Sequence, residues 1–244
     1  MYGIEIKGLK KVFGDKVAVK GLDLQIPKGS LYALLGVNGA GKTTTIRMLT
    51  GLTKPTGGEA YVLGHSIDSE LDAVKRIVNI SPQETSVAPN LTVRENLEFI
   101  AGIYGFNKGR TEEQVKKMIA QFSLEEVENR KAKTLSGGWQ RKLNIAMALI
   151  TEPEVLFLDE PTLGIDVLAR RELWRKIEGL KGKITIVLTT HYMEEAEMLA
   201  DEIAIMAKGE LMAVGSPAEL MQQTGTGRLE DAFVKIVEEA AYEE

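Results

Sequence analysis

Short and nearly continuous apolar runs recur along the chain, with helical patterns in most of the intervals between them. Such runs are typical of strands that are buried on both faces, as in a parallel sheet covered by helices on each side. The pattern therefore predicts an α/β core with a mostly parallel sheet. Its predicted strands are residues 31–35, 77–80, 155–158, 184–188 and 203–206.

The N-terminal segment has a different pattern, because apolar and polar residues alternate within residues 4–26. Alternation of this kind is typical of strands with one buried face. Turn signals at Gly14-Asp15 and at Gly21 divide the segment into short strands. We therefore predict a small antiparallel β subdomain near the N-terminus.

Residues 92–150 contain helical patterns and no convincing strand. Thr92 with Glu95, and Thr111 with Gln114, each have the spacing of a capping box, which marks the first turn of a helix. Apolar residues recur at helical spacing on two faces, which are Val93, Leu97, Ile100, Ala101 and Tyr104, and then Val115, Met118, Ile119 and Phe122. We predict an α-helical subdomain inserted into the α/β body.

Length and composition are those of one globular domain rather than a fibrous or disordered chain, since 44% of the 244 residues are hydrophobic and 27% are charged. A net charge of −5 without a basic stripe argues against a nucleic-acid partner. The absence of cysteine excludes disulfides, a thiolate nucleophile and cysteine-ligated zinc. With no apolar run of membrane-spanning length and no signal-peptide core, we expect a cytoplasmic protein.

The first chemical motif is the sequence GVNGAGKT at residues 36–43, which follows a predicted strand and precedes a helical pattern. It matches the P-loop, whose glycines allow backbone N–H groups to surround a β-phosphate. Lys42 would reach the β- and γ-phosphates, and the Thr43 hydroxyl would ligate Mg²⁺. We assign nucleotide binding to this segment through Gly36, Asn38, Gly39, Gly41, Lys42, Thr43 and Thr44. The alternative is an ordinary glycine-rich turn.

The second motif is the acidic pair Asp159 and Glu160 after the apolar run 155–158. A carboxylate at the end of a parallel strand beside a P-loop can hold Mg²⁺, and we assign this role to Asp159. Because consecutive strand residues point in opposite directions, Glu160 should face elsewhere and could orient or deprotonate the attacking water. Without the P-loop, a solvated acidic turn would be the more common interpretation.

A third motif, Leu135-Ser136-Gly137-Gly138, lies between the P-loop and the acidic strand at the start of an amphipathic helix. Ser136 is a natural N-cap, and the N–H groups of Gly137 and Gly138 make this helix start a second anion site. With these motifs in this order, the chain resembles the ATP-binding cassette (ABC) ATPases over nearly its whole length. The alternative for the third motif alone is a plain helix cap.

The resemblance implies a P-loop NTPase core that binds ATP and Mg²⁺, and a head-to-tail dimer. In that dimer, Ser136, Gly137 and Gly138 of one chain meet the γ-phosphate bound by the other. The partner would be a second copy of the chain or a second ABC subunit. The resemblance also implies a single ABC ATPase domain over residues 1–244. Its parts are a catalytic core with the β subdomain at about 1–83 and 151–215, a helical subdomain at about 84–150 and a C-terminal helical extension at about 216–244.

Four further residues take roles only from the resemblance. Gln83 resembles the glutamine that contacts Mg²⁺ and the attacking water, and His191 resembles the switch histidine at the γ-phosphate. Asp166 matches the loop that crosses the dimer interface, and Phe13 resembles the aromatic residue that stacks on adenine. Phe13 could equally be a core residue of a hairpin, and a lone histidine after a strand is more often structural.

The chain departs from the family pattern at two places. Trp139 stands where the signature usually carries glutamine, and residues 163–166 read Leu-Gly-Ile-Asp where many members have Ser-Ala-Leu-Asp. Trp139 continues an apolar helix face formed by Leu143, Ala146, Met147 and Ile150, which favours a packing role. Neither change removes a phosphate contact or the catalytic carboxylate, so we expect an active ATPase.

The C-terminal region, including Leu229-Glu230-Asp231 and Phe233, resembles bacterial exporter ATPases whose membrane-spanning permease is a separate chain. The resemblance implies a peripheral protein on the cytoplasmic face of the inner or plasma membrane. Two alternatives remain open. One is a soluble ABC ATPase with cytosolic partners, as in iron–sulfur assembly, and the other is a nucleotide-gated module that does not hydrolyse ATP.

Overall fold

The chain forms two β-sheets and a set of helices in the computed structural model, which describes residues 1–242 and the side chains through Glu239. The strands are β1 (Tyr2–Phe13), β2 (Lys16–Pro27), β3 (Leu31–Leu35), β4 (Gly57–Val62), β5 (His65–Ser66), β6 (Val78–Ser81), β7 (Val155–Asp159), β8 (Thr185–Thr190), β9 (Glu202–Ala207) and β10 (Glu210–Gly215). The helices are α1 (Lys42–Leu49), α2 (Leu71–Ile77), α3 (Val93–Ile103), α4 (Lys108–Phe122), α5 (Gly137–Leu149), α6 (Val167–Glu178), α7 (Met193–Leu199), α8 (Pro217–Thr224) and α9 (Leu229–Tyr242). Single 3-10 turns occur at Glu125–Val127 and Ala132–Thr134.

The smaller sheet is antiparallel, with the strand order β2-β1-β4-β5, as predicted for the N-terminal region. The turn at Gly14-Asp15 joins β1 to β2, but the turn predicted at Gly21 is wrong. Leu9 pairs with Leu22 and Lys10 with Lys20, so Gly21 is an extra residue inside β2. Its φ of 146° suits a β-bulge, which glycine adopts without steric strain.

The larger sheet confirms the predicted α/β core. Its order is β10-β9-β3-β8-β7-β6, and every neighbouring pair except β10 with β9 is parallel. All residues of β3, β7 and β8 are buried, which explains their continuous apolar runs. Side chains of β3 alternate between the two core clusters: Leu31 and Leu35 pack with the helices, while Tyr32 and Leu34 pack with the antiparallel sheet.

The helices α3, α4 and α5 lie between β6 and β7 in the chain, where the helical subdomain was expected. The capping box at the start of α3 is confirmed, because Glu95 N–H donates to Thr92 Oγ1 and Thr92 N–H donates to the Glu95 carboxylate. The second predicted capping box is wrong. Helix α4 begins one turn earlier than Thr111, because Asn107 caps it by accepting a hydrogen bond from Arg110 N–H at 3.0 Å.

The predicted C-terminal extension consists of α8 and α9, and its last two residues lie outside the described part of the chain. Leu229 and Phe233 of α9 are buried in the same cluster as the helical region. Within residues 1–242, none of the helices combines the length and the apolar character that crossing a bilayer requires. The boundaries assigned to the subdomains stay a prediction.

Candidate functional site

Three strands of the parallel sheet end at one edge and bring the predicted motifs together. Leu35 of β3 pairs with Thr190 of β8, and Asp159 of β7 pairs with Thr189. Gly36, the first residue of the P-loop, donates its N–H to the Thr190 carbonyl at 3.3 Å. Residues 36–43, the acidic pair and His191 therefore meet at this edge, because parallel strands place their carboxyl ends side by side.

The P-loop conformation requires glycine at two of its positions. A Cβ atom at Gly36 would lie 2.3 Å from the Met206 carbonyl oxygen, which is closer than any side chain can approach. Gly41 has a φ of 104° immediately before α1, and a Cβ there would lie 2.8 Å from the Ala18 carbonyl oxygen. The loop is thus packed against β9 and β2 by close backbone contacts.

Lys42 holds a buried positive charge at the centre of the site. Its Nζ donates to the Gly36 carbonyl at 2.6 Å and the Val37 carbonyl at 3.3 Å, and lies 3.5 Å from Glu160 Oε1. Burial lowers the pKa of Lys42, while the neighbouring carboxylates Glu160 and Asp159 act in the opposite direction. The ammonium group is therefore placed among carbonyls and carboxylates, which compensate the loss of water.

Asp159 and Thr43 form the pair that was predicted to hold Mg²⁺. Thr43 Oγ1 donates to Asp159 Oδ1 at 2.9 Å, and the same oxygen accepts from Thr189 Oγ1 at 2.5 Å. Hydroxyl and carboxylate oxygens are the ligands that Mg²⁺ prefers, and Mg²⁺ commonly completes its shell with water and phosphate. These oxygen ligands fit the ion, and Thr43 and Gln83 both line one cavity beside the P-loop.

Glu160 leaves the extended conformation of β7 and adopts a φ of 49°. Its N–H donates to both the carbonyl and the hydroxyl of Thr189, at 3.1 and 3.0 Å. Glu160 Oε2 is hydrogen-bonded to His191 Nδ1 at 2.8 Å. Asp159 thus contacts Thr43 and Thr189 while Glu160 contacts Lys42 and His191, so the two carboxylates face different groups as predicted. The left-handed backbone at Glu160, and not strand alternation alone, sets its direction.

A cavity of about 290 Å³ lies over the P-loop. Most of its wall is the predicted phosphate-binding segment, together with Gln83 and Glu160 from the segments that follow β6 and β7. Its lining residues are Lys16, Ala18, Asn38, Gly39, Ala40, Gly41, Lys42, Thr43, Thr44, Gln83 and Glu160. The structure therefore brings the P-loop, Gln83 and Glu160 to one cavity, with His191 attached to it through Glu160.

Phe13 lies at the tip of the β1–β2 hairpin. Its side chain is 50% exposed, so the alternative interpretation as a hairpin core residue is wrong. Phe13 pairs across the hairpin with Lys16, which lines the cavity, and Lys11 Nζ lies 4.7 Å from the centre of its ring. Phe13 itself is not among the residues that line the cavity, and its role in stacking stays a prediction.

The third motif is outside the lining of the P-loop cavity. Ser136 directly precedes α5, as predicted, but its hydroxyl makes no capping hydrogen bond. A Cβ at Gly138 would lie 3.0 Å from Ala169 Cβ, so the start of α5 abuts the start of α6. Asp166 caps α6 by accepting from Leu168 N–H and Ala169 N–H. Gly137, Gly138 and Asp166 therefore form a second surface, separate from the P-loop.

Trp139 packs against the helical core, as its sequence pattern predicted. Lys142 Nζ lies 4.3 Å from the centre of the indole ring, and the same ammonium group pairs with Glu172 of α6 at 2.6 Å. The ring thus contributes to the contact between α5 and α6.

Two buried charged residues near the site were missed by sequence reasoning. Arg141 lies in α5 and Glu195 lies in α7, and both are buried. Burial raises the pKa of Glu195, although hydrogen bonds from neighbouring groups, including Thr162 and Trp174, oppose the change. The sequence pattern could have indicated that Glu195 is buried, because Glu195 lies one turn before the buried Leu199 on the apolar face of α7. Arg141 had no comparable signal.

Comparison with known proteins decides the family. The sequence profile described as ABC transporter matches residues 19–163, which is more than half of the chain. The chain belongs to the ABC transporter family. It is an ATP-binding component of this family, and family membership makes it an ATP hydrolase.

Relatives from bacteria and mammals share this domain. The chain is 43% identical over 94% of its length to the daunorubicin/doxorubicin resistance ATP-binding protein DrrA of Streptomyces peucetius, and covers 71% of that protein. It is 46% identical over 92% of its length to the human phospholipid-transporting ATPase ABCA3, but spans only 13% of that protein. A solved ATP-binding subunit of an ABC transporter superposes with a TM-score of 0.85 at 28% identity, covering 96% of this chain and 99% of the other.

Proposed function

We propose that this ABC protein energises an exporter by closing around two ATP molecules in a dimer and hydrolysing them. The observation that carries the proposal is the contact set at the ends of β3, β7 and β8. There, Lys42 and Thr43 of the P-loop contact Glu160 and Asp159, and His191 contacts Glu160. This arrangement places a phosphate-binding cation and loop, two oxygen ligands for a metal and a base in one site.

The roles of the residues follow from their contacts. The N–H groups of the P-loop and Lys42 bind the β- and γ-phosphates. Thr43, Gln83 and Asp159 would hold Mg²⁺, which offsets the negative charge of these phosphates. Glu160 accepts a proton from the water that attacks the γ-phosphorus, and His191 keeps the Glu160 carboxylate directed into the cavity. Phe13 stacks on the adenine ring beside the loop.

The second surface suits a head-to-tail partner. The start of α5 offers N–H groups and the positive end of a helix, but it does not line this chain's own P-loop cavity. The neighbouring residues Val167 and Leu168 are 55% and 81% exposed, so two adjacent apolar side chains lie next to this surface. We infer that Ser136, Gly137, Gly138 and Asp166 contact the nucleotide or the P-loop of a second chain, either another copy or a second ABC subunit.

The exporter assignment rests on the relatives and on the C-terminal helix. DrrA is named for resistance to two drugs, which suits an efflux system, and the C-terminal segment that resembles exporter ATPases forms α9, in which Leu229 and Phe233 are buried. A permease that spans the membrane would be the partner of the chain, which would lie on the cytoplasmic face. The helical region and the Gln83 segment would pass the closing motion to that permease.

The catalytic part of the proposal is tested by Glu160→Gln, which keeps the shape of the side chain and removes the base. We expect phosphate release to fall by about 10²–10⁴-fold. The matched control is Glu197→Gln, an exposed position on α7, which should keep wild-type turnover. Turnover by Glu160→Gln at the rate of the control would contradict the assignment of Glu160.

The exporter part is tested by purification of the tagged chain from detergent-solubilised cells. We expect a multi-span membrane protein to co-purify with it, and the complex to show ATPase activity. Co-purification with cytosolic proteins alone would contradict the exporter assignment and favour a soluble ABC ATPase.

A further inference from the structure

A buried arginine joins α5 to two segments that line the P-loop cavity. Arg141 lies in α5, one turn after the second surface, and is 3% exposed. Its Nη1 donates to the Pro82 carbonyl at 2.8 Å, and its Nη2 donates to the Gln83 carbonyl at 2.8 Å. The same Nη2 donates to the Glu160 carbonyl at 3.2 Å. One guanidinium group therefore connects α5 with the backbone of two residues that we assign to catalysis.

The segment that contains Gln83 is held to α5 at a second point. Asn144, one turn after Arg141, donates to Ser81 Oγ at 2.8 Å and accepts from Ser86 N–H at 3.1 Å. The hydrogen bonds of Arg141 and Asn144 thus bracket Gln83 on both sides. Any shift of α5 relative to the sheet must move this segment or break these bonds.

Glu160 is fixed on both sides of its backbone. Its N–H donates to Thr189, and its carbonyl accepts from both Leu163 N–H and Arg141 Nη2, each at 3.2 Å. Because Glu160 has a left-handed backbone, the direction of its carboxylate depends on these restraints more than it would in a regular strand. Arg141 supplies the restraint that comes from α5.

Burying this charge has a free-energy cost, which hydrogen bonds and nearby carboxylates must offset. Desolvation lowers the pKa of Arg141, and the nearby carboxylates Asp159, Glu195 and Glu160 oppose that effect. A planar guanidinium group can donate in several directions at once, whereas a lysine ammonium group acts as a compact point charge. The geometry of the three carbonyls therefore requires arginine in particular.

We propose that Arg141 is a positioning residue that sets Gln83 and Glu160 for hydrolysis according to the position of α5. Because α5 begins at the surface expected to meet the partner's nucleotide, closure of the dimer would be transmitted through Arg141 to both residues. This inference rests on the proposed function. It assigns a role to a residue that touches neither the nucleotide nor the water.

The test compares Arg141→Lys and Arg141→Gln with the control Arg76→Lys, which changes an exposed arginine of α2. Lysine keeps the charge without the planar fork, and glutamine keeps N–H donors without the charge. We expect both variants to lower kcat by about 10- to 100-fold, the scale of a small misplacement of catalytic groups. The Kd for a fluorescent ATP analogue should stay within about twofold of wild type, because the P-loop contacts do not involve Arg141.

Comparing the effects of the variants on kcat and on Kd distinguishes a positioning role of Arg141 from a role in the stability of the fold. A wild-type kcat in either folded variant would overturn the inference. It would also be overturned if kcat, Kd and Tm changed together, since Arg141 would then only stabilise the fold. If one variant does not fold, the other decides.

A double variant shows whether Arg141 acts through Gln83. In a Gln83→Ala background, Arg141→Lys should lower kcat by a smaller factor than in wild type, because one of the two groups that it positions is already lost. An equal factor in both backgrounds would overturn the inference. A failure of the proposed function would be seen in a different variant. In that case Glu160→Gln would retain turnover, independently of the results for the Arg141 variants.

Discussion

At the scale of single residues, the site depends on charges that are buried and mutually compensated. Lys42 and Glu160 are both buried and lie 3.5 Å apart, and His191 contacts the other oxygen of the same carboxylate. Removing Glu160 would leave the buried Lys42 ammonium group without this carboxylate, and loss of one partner of a buried ion pair is costly in the interior of a protein. The same contacts that hold Glu160 in place therefore also contribute to the stability of the fold.

Glu195 gives a residue-scale prediction for pH dependence. Burial holds the pKa of Glu195 above the ordinary value of a glutamate and Glu160 adds to this effect, whereas hydrogen bonds from Thr190, Trp174 and Thr162 act against it. The folded protein therefore retains a proton that the unfolded chain releases once the pH passes the ordinary glutamate pKa. The contribution of Glu195 to the free energy of unfolding is therefore fully present below the ordinary glutamate pKa. It decreases as the pH rises towards the pKa that Glu195 has in the folded protein.

The variant Glu195→Gln removes this titration and keeps the size of the side chain. We expect its Tm to exceed that of the wild type by a margin that grows as the pH is raised from about 4.5. Thermal melts of both proteins across a pH series measure the margin, with Glu197→Gln as the exposed control. A margin that is independent of pH would contradict the account of Glu195.

At the scale of elements, the apolar runs were enough to place the parallel strands. The run at 155–158 became β7, and the runs at 77–80 and 184–188 became β6 and β8 with shifts of one or two residues. Strands buried on both faces leave this signal because both sides of the backbone must be apolar. The bulge at Gly21 and the true start of α4 left weaker signals, because each depends on a local backbone conformation.

The start of α4 can be tested directly. We expect Asn107→Ala to lower the free energy of unfolding by about 1 kcal/mol, because Arg110 N–H loses its acceptor. Thr111→Ala is the matched control and should change stability little, since Thr111 lies inside the helix. Urea denaturation measures both values. A larger loss for Thr111→Ala would contradict the cap assigned to Asn107.

Some parts of the candidate site could be predicted from the sequence, and others could not. The P-loop and the acidic pair are contiguous in sequence, so their residue types and spacing indicated their chemistry. The left-handed backbone of Glu160 and the hydrogen bonds of Arg141 arise only when distant segments meet. Arg141 in particular looked like one of several polar residues on a helix, because its three acceptors are backbone carbonyls that carry no sequence signal.

At the scale of the whole molecule, the chain has two surfaces that suit phosphate and that do not share a cavity. The P-loop cavity lies at the edge where β3, β7 and β8 end, and the start of α5 lies against α6. A net charge of −5 is compatible with both surfaces, because each would bind phosphate through backbone N–H groups and few cations. The separation of the two surfaces is the strongest structural support for the proposed dimer.

The mass of the Glu160→Gln protein in solution, with and without ATP and Mg²⁺, tests the central claim most directly. We predict a monomer of 26.8 kDa without nucleotide and a species of twice that mass with ATP, measured by light scattering after size exclusion. Adding Ser136→Glu should keep ATP binding and abolish the dimer, because a carboxylate would then face the partner's γ-phosphate. A Glu160→Gln protein that binds ATP but stays at 26.8 kDa, or a Ser136→Glu protein that still dimerises, would contradict the account.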